Sequence, residues 1–285
     1  MSQSQQSSCV ELPRPAAILP EQVEVNGAKI RFGVSGRGER DLLLVHGHNA
    51  HQMWWHAVAP ILEKDWRVIR FDLSGHGDSD HREDYSRLTW PDELHAVLAA
   101  VGSSRTVLVG HSMGGRVAIA AAAARPEGIV GVITMDTALR SVASPPKFDW
   151  QPERTPRVRA TRDLALGRFR LAPDQPAPAA KILDVVAESS IRRIEGGWTW
   201  KYDQRGLPAT ERQLVEGQMA TLTVPLRFVY AEHSAIVGTD AIDFLRTSPP
   251  PSGLEIIEMA GVHHHLILEE PEKCARLIDE LASRF

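Results

Sequence analysis

The chain has 285 residues, a length that accommodates one large α/β domain or two small ones. Its net charge of -4 and the lack of a long basic run argue against a nucleic-acid partner. Two cysteines are too few for a disulfide framework, and no apolar run is long enough to cross a membrane. The first residues lack the basic and apolar regions of a signal peptide. We therefore expect a cytoplasmic protein with no membrane or nucleic-acid partner.

The first half of the chain alternates short apolar strands with helices. Residues 1–20 are polar and proline-rich, which predicts a disordered tail. Asn26-Gly27 then predicts a tight turn between strands at 22–25 and 29–34. Strands at 41–45, 67–72, 105–109 and 131–136 follow, separated by helices at about 51–62, at about 91–101 and directly after Ser112. This order predicts a mostly parallel, doubly wound α/β sheet with right-handed crossovers.

The alternation stops after Asp136 and resumes near Val224. Residues 139–216 are rich in proline, arginine and tryptophan, with helical patterns at about 161–170 and 178–194. Strands at 224–230 and 254–259 and a helix at about 271–283 complete the chain. We predict a core formed by 21–138 and 217–285, with 139–216 inserted as a helical cap. Such an insertion lies above the carboxyl ends of the strands, where doubly wound folds bind ligands.

Ser112 is the candidate nucleophile. It lies in Gly110-His111-Ser112-Met113-Gly114, between a β-branched strand and an alanine-rich helix. A serine between such elements must occupy a sharp turn, and glycines on both sides allow the backbone to close it. The turn exposes the hydroxyl above the sheet and directs the N-terminus of a helix toward it. A serine that only caps the helix would not need both glycines.

Two further segments are predicted to meet Ser112 at the same edge of the sheet. His46-Gly47-His48 follows a buried strand, and the glycine lets the backbone turn an N–H inward. The amides of His48 and Met113 are therefore the predicted oxyanion hole. The second segment is the histidine run at 263–265, directly after the last strand.

Together these motifs resemble the α/β-hydrolase superfamily from about residue 21 to the C-terminus. The matching pieces are His46-Gly47, the stretch 72–79 (Asp-Leu-Ser-Gly-His-Gly-Asp-Ser), the Ser112 motif and the histidine-rich end. Members usually carry a histidine five residues before a glutamate that lies two before a proline. Counting back from Pro271 through Glu269 selects His264 as the base, with His263 as the alternative.

The resemblance implies a catalytic triad of serine, histidine and an acid, and several residues are candidates for the acid. The superfamily usually carries an aspartate in the turn after the strand that follows the cap, but this chain has Ser234 and Ala235 there. The superfamily also tolerates an acid at the end of the strand that follows the nucleophile helix, where Asp136 stands. We therefore predict Asp136 as the acid, with Glu232, Asp240 or a degenerate site as alternatives. A purely structural role for Asp136, in which it only caps the following turn, is the alternative to a catalytic role.

The remaining candidates concern the pocket and metals. Trp55, Trp198 and Trp200 are candidates for the substrate pocket, although packing explains Trp55 equally well. The histidines at 46, 48, 51 and 263–265 lack the cysteine partners or helical spacing of a zinc site. We therefore predict no metal and no cofactor.

The predicted activity is that of a serine hydrolase acting on a carboxylic ester or a related acyl compound through an acyl-enzyme. A serine nucleophile argues against dehalogenase and epoxide hydrolase chemistry, which use aspartate in this superfamily. Lyase, C–C hydrolase and cofactor-free peroxidase reactions on the same site are alternatives, as is a non-catalytic ligand-binding protein. The partner is a small-molecule substrate, and the sequence determines neither its identity nor the oligomeric state.

Overall fold

A central mixed sheet organises the molecule. The computed structural model describes residues 20–86, 88–139, 156–205 and 215–285. Within those ranges eight strands form one sheet in the order β1-β2-β4-β3-β5-β6-β9-β10, and β7 and β8 form a separate hairpin. The strands are β1 Glu21–Val25, β2 Ala28–Ser35, β3 Asp41–Val45, β4 Arg67–Phe71, β5 Thr106–His111, β6 Ile129–Met135, β7 Ile191–Ile194, β8 Gly197–Trp200, β9 Leu226–Ala231 and β10 Leu254–Met259.

Helices lie between the strands. They are α1 Ala59–Leu62, α2 Thr89–Val101, α3 Met113–Ala124, α4 Arg162–Leu166, α5 Ala180–Ser189, α6 Val215–Thr221, α7 Thr239–Thr247, α8 Leu266–Glu269 and α9 Pro271–Ala282. The pairings β4·β3, β3·β5, β5·β6, β6·β9 and β9·β10 are parallel, while β1 and β2 pair antiparallel at one edge. Among the described helices, none is both long enough and apolar enough to traverse a bilayer.

The buried strands contribute to two cores, one on each face of the sheet. In β3, Leu43 and Val45 join the cluster that contains α2 and α3, while Leu42 and Leu44 join the cluster that contains α9. Successive side chains of a strand point to opposite faces, so a continuous apolar run serves both layers. The predicted doubly wound α/β fold is confirmed, and it places β5 between β3 and β6 near the middle of the sheet.

The helix predicted at 51–62 is divided into two short pieces. Residues Gln52–Trp55 form a 3-10 helix, and α1 begins only at Ala59. Pro60 lies in the first turn of α1, where its missing N–H and fixed φ are tolerated. A proline inside one continuous helix would have removed a hydrogen bond, so the chain starts a new helix instead.

The inserted segment is not purely helical, which corrects the prediction of a helical cap. The helix predicted at 178–194 ends at Ser189, and Ile191–Ile194 forms β7, which pairs antiparallel with β8. A two-residue turn joins these strands, and Gly196 adopts φ 82° there, a conformation that favours glycine. The other helix predicted in the segment, at 161–170, is reduced to α4. The predicted tail at 1–19 and the cap residues 140–155 and 206–214 lie outside the described residues.

Polar contacts attach the described part of the insertion to the core. His51 Nε2 lies 2.9 Å from Ser190 Oγ at the end of α5. The amide of Asp203 donates to the carbonyl of Gly75 at 2.7 Å, and Tyr85 donates to the carboxylate of Asp203 at 3.0 Å. The insertion is thereby fixed against the loops that follow β3 and β4.

Candidate active site

The turn between β5 and α3 holds Ser112 in a strained conformation. Ser112 has φ 54° and ψ -120°, and it is one of four described non-glycine residues with positive φ. Its amide donates to the carbonyl of Met135 at 3.0 Å, and its carbonyl accepts the amide of Gly115 at 3.1 Å. Such a backbone conformation costs about 1–3 kcal/mol and persists only where the surroundings enforce it.

Close backbone contacts explain the two glycines that flank the serine. A side chain at Gly110 would overlap the backbone of Gly114, and one at Gly114 would overlap the carbonyls of Val45 and His46. The turn therefore packs directly on the end of β3. Only a residue without a Cβ fits either position, which is the physical basis of the motif.

His264 and Asp136 form a buried pair beside this turn. His264 Nδ1 lies 2.7 Å from Asp136 Oδ2, and the two side chains are 5% and 0% exposed. His264 also contacts His111, the neighbour of Ser112, since their ring centroids are 4.9 Å apart. The carbonyl of His264 lies 2.9 Å from His111 Nε2. The structure therefore brings Asp136, His264 and the serine turn to the same edge of the sheet.

Two further donors fix the Asp136 carboxylate. The amide of Ala231 donates to Oδ1 at 2.9 Å, and the hydroxyl of Ser234 donates to Oδ2 at 2.7 Å. Ser234 Oγ in turn accepts the amide of Val237 at 2.9 Å. The turn that usually supplies the acid in this superfamily here supplies a donor to an acid on the adjacent strand.

The alternative residues have other partners. His263 Nδ1 lies 3.0 Å from Glu269 Oε1, so the carboxylate partner of His263 is Glu269. Glu232 Oε2 accepts the amide of Gly261 at 2.7 Å, and Asp240 is exposed in the first turn of α7. Among the described residues, these contacts favour His264 and Asp136 over the alternatives.

The loop after β3 approaches the serine from the other side. A Cβ at Gly47 would lie 3.2 Å from the Cβ of Ser112, so the His46-Gly47-His48 backbone passes within contact distance. Met113 is the first residue of α3, and the amides of a first helical turn have no partner within the helix. The predicted donors, His48 and Met113, therefore lie on the two segments that flank Ser112.

Several histidines around the serine turn are buried. Burial lowers the pKa of His46 and of His48 to about 4 and that of His111 to about 3. Burial also lowers the pKa of His265, although the nearby carbonyls of Ala172 and Pro173 partly offset the effect. These imidazoles are therefore uncharged at neutral pH.

His111 and His265 lie at the site, although the sequence analysis did not single them out. The side chain of His265 is 4.7 Å from that of His264 and 5.2 Å from that of Trp54, measured between ring centroids. Its amide donates to Gln175 of the insertion at 2.8 Å. The signal was present in the sequence, because both residues directly adjoin a predicted catalytic residue.

The three tryptophans occupy different environments. Trp55 is fully buried in the core cluster with Leu44 and Leu62, which favours packing over a pocket role. Trp198 and Trp200 alternate along β8 and are half-buried, with Trp200 6.3 Å from Phe169 between ring centroids. Their role in a pocket stays a prediction.

Comparisons with known proteins find one family match and several similar chains. The family model described as "alpha/beta hydrolase fold" matches residues 42–173. A serine hydrolase-like protein from Danio rerio is 28% identical over 184 residues, which are 58% of this chain and 56% of that protein, so the chain covers little more than half of that relative. The 2-(acetamidomethylene)succinate hydrolase from Mesorhizobium japonicum is 25% identical over 260 residues, covering 87% of this chain and 90% of that protein.

Structural similarity extends over nearly the whole chain. A crystal structure of E-2-(acetamidomethylene)succinate hydrolase matches with a TM-score of 0.74 at 20% identity, covering 92% of this chain and 98% of the other. The family match over residues 42–173 and these neighbours show that the chain has the fold of the α/β-hydrolase superfamily. These relatives are themselves named as hydrolases or as hydrolase-like.

Proposed function

We propose that the protein is a serine hydrolase that cleaves a carboxylic ester or a related acyl compound through an acyl-enzyme intermediate. In this proposal Ser112 is the nucleophile, His264 the general base and Asp136 the acid that orients it. The amides of His48 and Met113 form the oxyanion hole. None of these steps requires a cofactor.

The observation that carries the proposal is the 2.7 Å contact between His264 Nδ1 and Asp136 Oδ2 beside the strained serine turn. A carboxylate accepts from Nδ1–H, so the hydrogen bond holds the imidazole in the tautomer with a lone pair on Nε2. That nitrogen is then able to take the Ser112 proton. Ala231 and Ser234 keep the carboxylate oriented toward the ring.

The reaction proceeds in two halves. The Ser112 hydroxyl attacks the carbonyl carbon while His264 Nε2 takes its proton, and the tetrahedral oxyanion is stabilised by the two amides. His264 then donates the proton to the leaving group, which leaves an acyl-enzyme. Water attacks the acyl carbon while His264 takes its proton, and His264 then gives that proton to the Ser112 oxygen as the acid product leaves.

Two observations favour this reaction over a non-catalytic binding protein. The position that lacks the usual aspartate, Ser234, supports a carboxylate instead of leaving the histidine without one. The backbone strain at Ser112 is also typical of sites where a reactive side chain must be presented. The Mesorhizobium relative, whose name specifies an acetamide substrate, fits an acyl compound as the substrate class.

A hydrolysis screen tests the proposal. Purified protein and the Ser112→Ala variant are assayed against p-nitrophenyl esters of increasing acyl length, lactones, thioesters and N-acyl amides. We expect turnover of at least one acyl class by the wild-type protein and a loss of about three or more orders of magnitude in Ser112→Ala. If Ser112→Ala keeps more than about a tenth of the activity, the reaction takes place elsewhere.

A further inference from the structure

Three buried imidazoles meet directly beside the serine turn. His111, His264 and His265 are 2%, 4% and 3% exposed. Their ring centroids are separated by 4.9 Å, 6.0 Å and 4.7 Å. One nitrogen from each lies within 4.8 Å of the other two, and these three residues are named below the histidine cluster.

The hydrogen bonds of the cluster leave nitrogens free to bind a metal. His111 Nε2 faces the carbonyl of His264, while its Nδ1 has no partner among the described residues. Neither nitrogen of His265 has a hydrogen bond of good geometry within the described part of the chain, although the carbonyls of Ala172 and Pro173 lie near its ring. A buried polar atom without a partner carries an energetic cost, which a ligand that binds there would relieve.

The arrangement around His264 is the one that metal-binding histidines use. Its Nδ1 is held by the carboxylate of Asp136, and its Nε2 carries the lone pair. A histidine whose outer nitrogen donates to a carboxylate or a backbone carbonyl is oriented and made more basic for a metal. Asp136 serves His264 in this way, and the carbonyl of His264 serves His111.

We propose that the histidine cluster binds a divalent transition-metal ion of the zinc or copper class, and that this ion inhibits the hydrolase. Neutral imidazole favours such ions over calcium or magnesium, which prefer oxygen ligands. Ser112 is only partly buried, so solvent reaches the neighbourhood of the cluster. An ion on His264 Nε2 occupies the lone pair that would otherwise take the Ser112 proton.

The cluster must contract to hold one ion. Three nitrogens bound to one tetrahedral zinc ion at about 2.0–2.1 Å lie about 3.4 Å apart. The present separation of up to 4.8 Å must therefore shorten by up to about 1.4 Å when the ion binds. We expect His265 to supply most of that movement, because only the imperfectly aligned contacts with the carbonyls of Ala172 and Pro173 oppose it among the described residues.

Metal binding and inhibition are measured separately. The protein is freed of metal with EDTA and titrated with ZnCl₂ by calorimetry and with CoCl₂ by visible absorption, which reports imidazole ligation of cobalt. The variant His265→Phe removes a ligand while keeping a ring against Trp54, and His263→Phe is the matched control in the same loop. We expect one high-affinity zinc ion in the wild-type protein and in His263→Phe. His265→Phe should bind it at least about tenfold more weakly, the least that loss of even an outer hydrogen bond to a metal ligand costs.

Equal zinc affinity in His265→Phe and the wild-type protein, or no binding to either, would overturn the proposal. Circular dichroism establishes that each variant is folded, and His265→Asn repeats the comparison with a smaller polar side chain. The inhibition part rests on the proposed function: zinc should lower the hydrolysis rate with a midpoint that follows the calorimetric Kd. Zinc that binds the cluster without slowing hydrolysis would confirm the site and refute both the inhibition and the assignment of His264 as the base.

Discussion

The substitution Asp136→Asn probes the arrangement around His264 most sharply. The carboxylate has two oxygens with different partners: Oδ1 accepts from the amide of Ala231, and Oδ2 accepts from Ser234 and His264. An asparagine replaces one of these acceptors with an NH₂ donor, so one side of the network must lose its match.

Either orientation of the asparagine amide is costly. If its oxygen stays with Ala231, its NH₂ group faces His264 Nδ1, and the imidazole must move its proton to Nε2. That tautomer cannot take a proton from Ser112, and the equivalent change in the best-studied serine triad lowers kcat by about 10⁴, or about 5.4 kcal/mol. If the amide is reversed, two donors meet at Ala231, and a buried unsatisfied group costs about 1–3 kcal/mol of stability.

We therefore expect Asp136→Asn to lower turnover by between about a hundredfold and about 10⁴-fold. The measurement is kcat/KM on the best substrate of the hydrolysis screen, with folding monitored by circular dichroism and Tm. Glu232→Gln is the control, because Glu232 directly follows the neighbouring strand β9 but accepts a hydrogen bond from the amide of Gly261. A folded Asp136→Asn protein with nearly wild-type activity, beside an inactive Glu232→Gln protein, would refute the reasoning.

Further predictions concern the catalytic base, the position of the catalytic carboxylate and the stability of the fold at low pH. His264→Ala should reduce turnover as much as Ser112→Ala, and the double variant should be little worse than either. His263→Ala should have a much milder effect. Equal losses of turnover in the two histidine variants would contradict this prediction. The double variant Asp136→Asn with Ser234→Asp should be at least about tenfold more active than Asp136→Asn alone. The reason is that the new carboxylate replaces a hydroxyl that lies 2.7 Å from Asp136 Oδ2. No recovery would show that a carboxylate at position 234 does not orient His264. The pKa of His46 falls from 6.5 to about 4 on folding, so between these values the unfolded chain binds a proton that the folded chain does not. The free energy of unfolding should therefore fall as the pH drops from about 6.5 to about 4, by up to about 3 kcal/mol from His46, and His46→Gln should reduce that slope in urea titrations; an unchanged slope would contradict the assignment.

The fold was predictable where the sequence pattern is local and repetitive. The continuous apolar run of β3, the Asn26-Gly27 turn and the alternation of strands and helices are each encoded within a few residues. The break at Pro60 was also readable, since proline in an amphipathic pattern marks a boundary. Helix α7 was not predicted, although Ala241, Ile242 and Leu245 form its buried face.

The inserted segment was harder to predict because its pattern is ambiguous. Ile191–Ile194 continues the apolar spacing of α5, and only the Gly196 turn and pairing with β8 make it a strand. A four-residue strand depends on its partner more than on its own sequence. A short hairpin of this kind is therefore indicated by its turn residues, because the hydrophobic periodicity alone does not distinguish it from a helix.

The sequence motifs of the candidate site were recognisable along the chain, while the contacts between its side chains were visible only in the structure. The glycines around Ser112 and the spacing from Pro271 to His264 are visible along the chain. That the hydroxyl of Ser234 donates to Asp136, 98 residues away, is not. The meeting of His111 with His265 likewise depends on how β5 and the loop after β10 pack together.

The central claim is that His264 and Asp136 activate Ser112, and covalent labelling tests it most directly. The wild-type protein is treated with a fluorophosphonate probe, and the modified peptide is located by mass spectrometry. We predict one adduct, on Ser112, which is absent from Ser112→Ala and forms at least about a hundredfold more slowly in His264→Ala. No adduct on Ser112 in folded wild-type protein, or labelling of His264→Ala at the wild-type rate, would contradict the account.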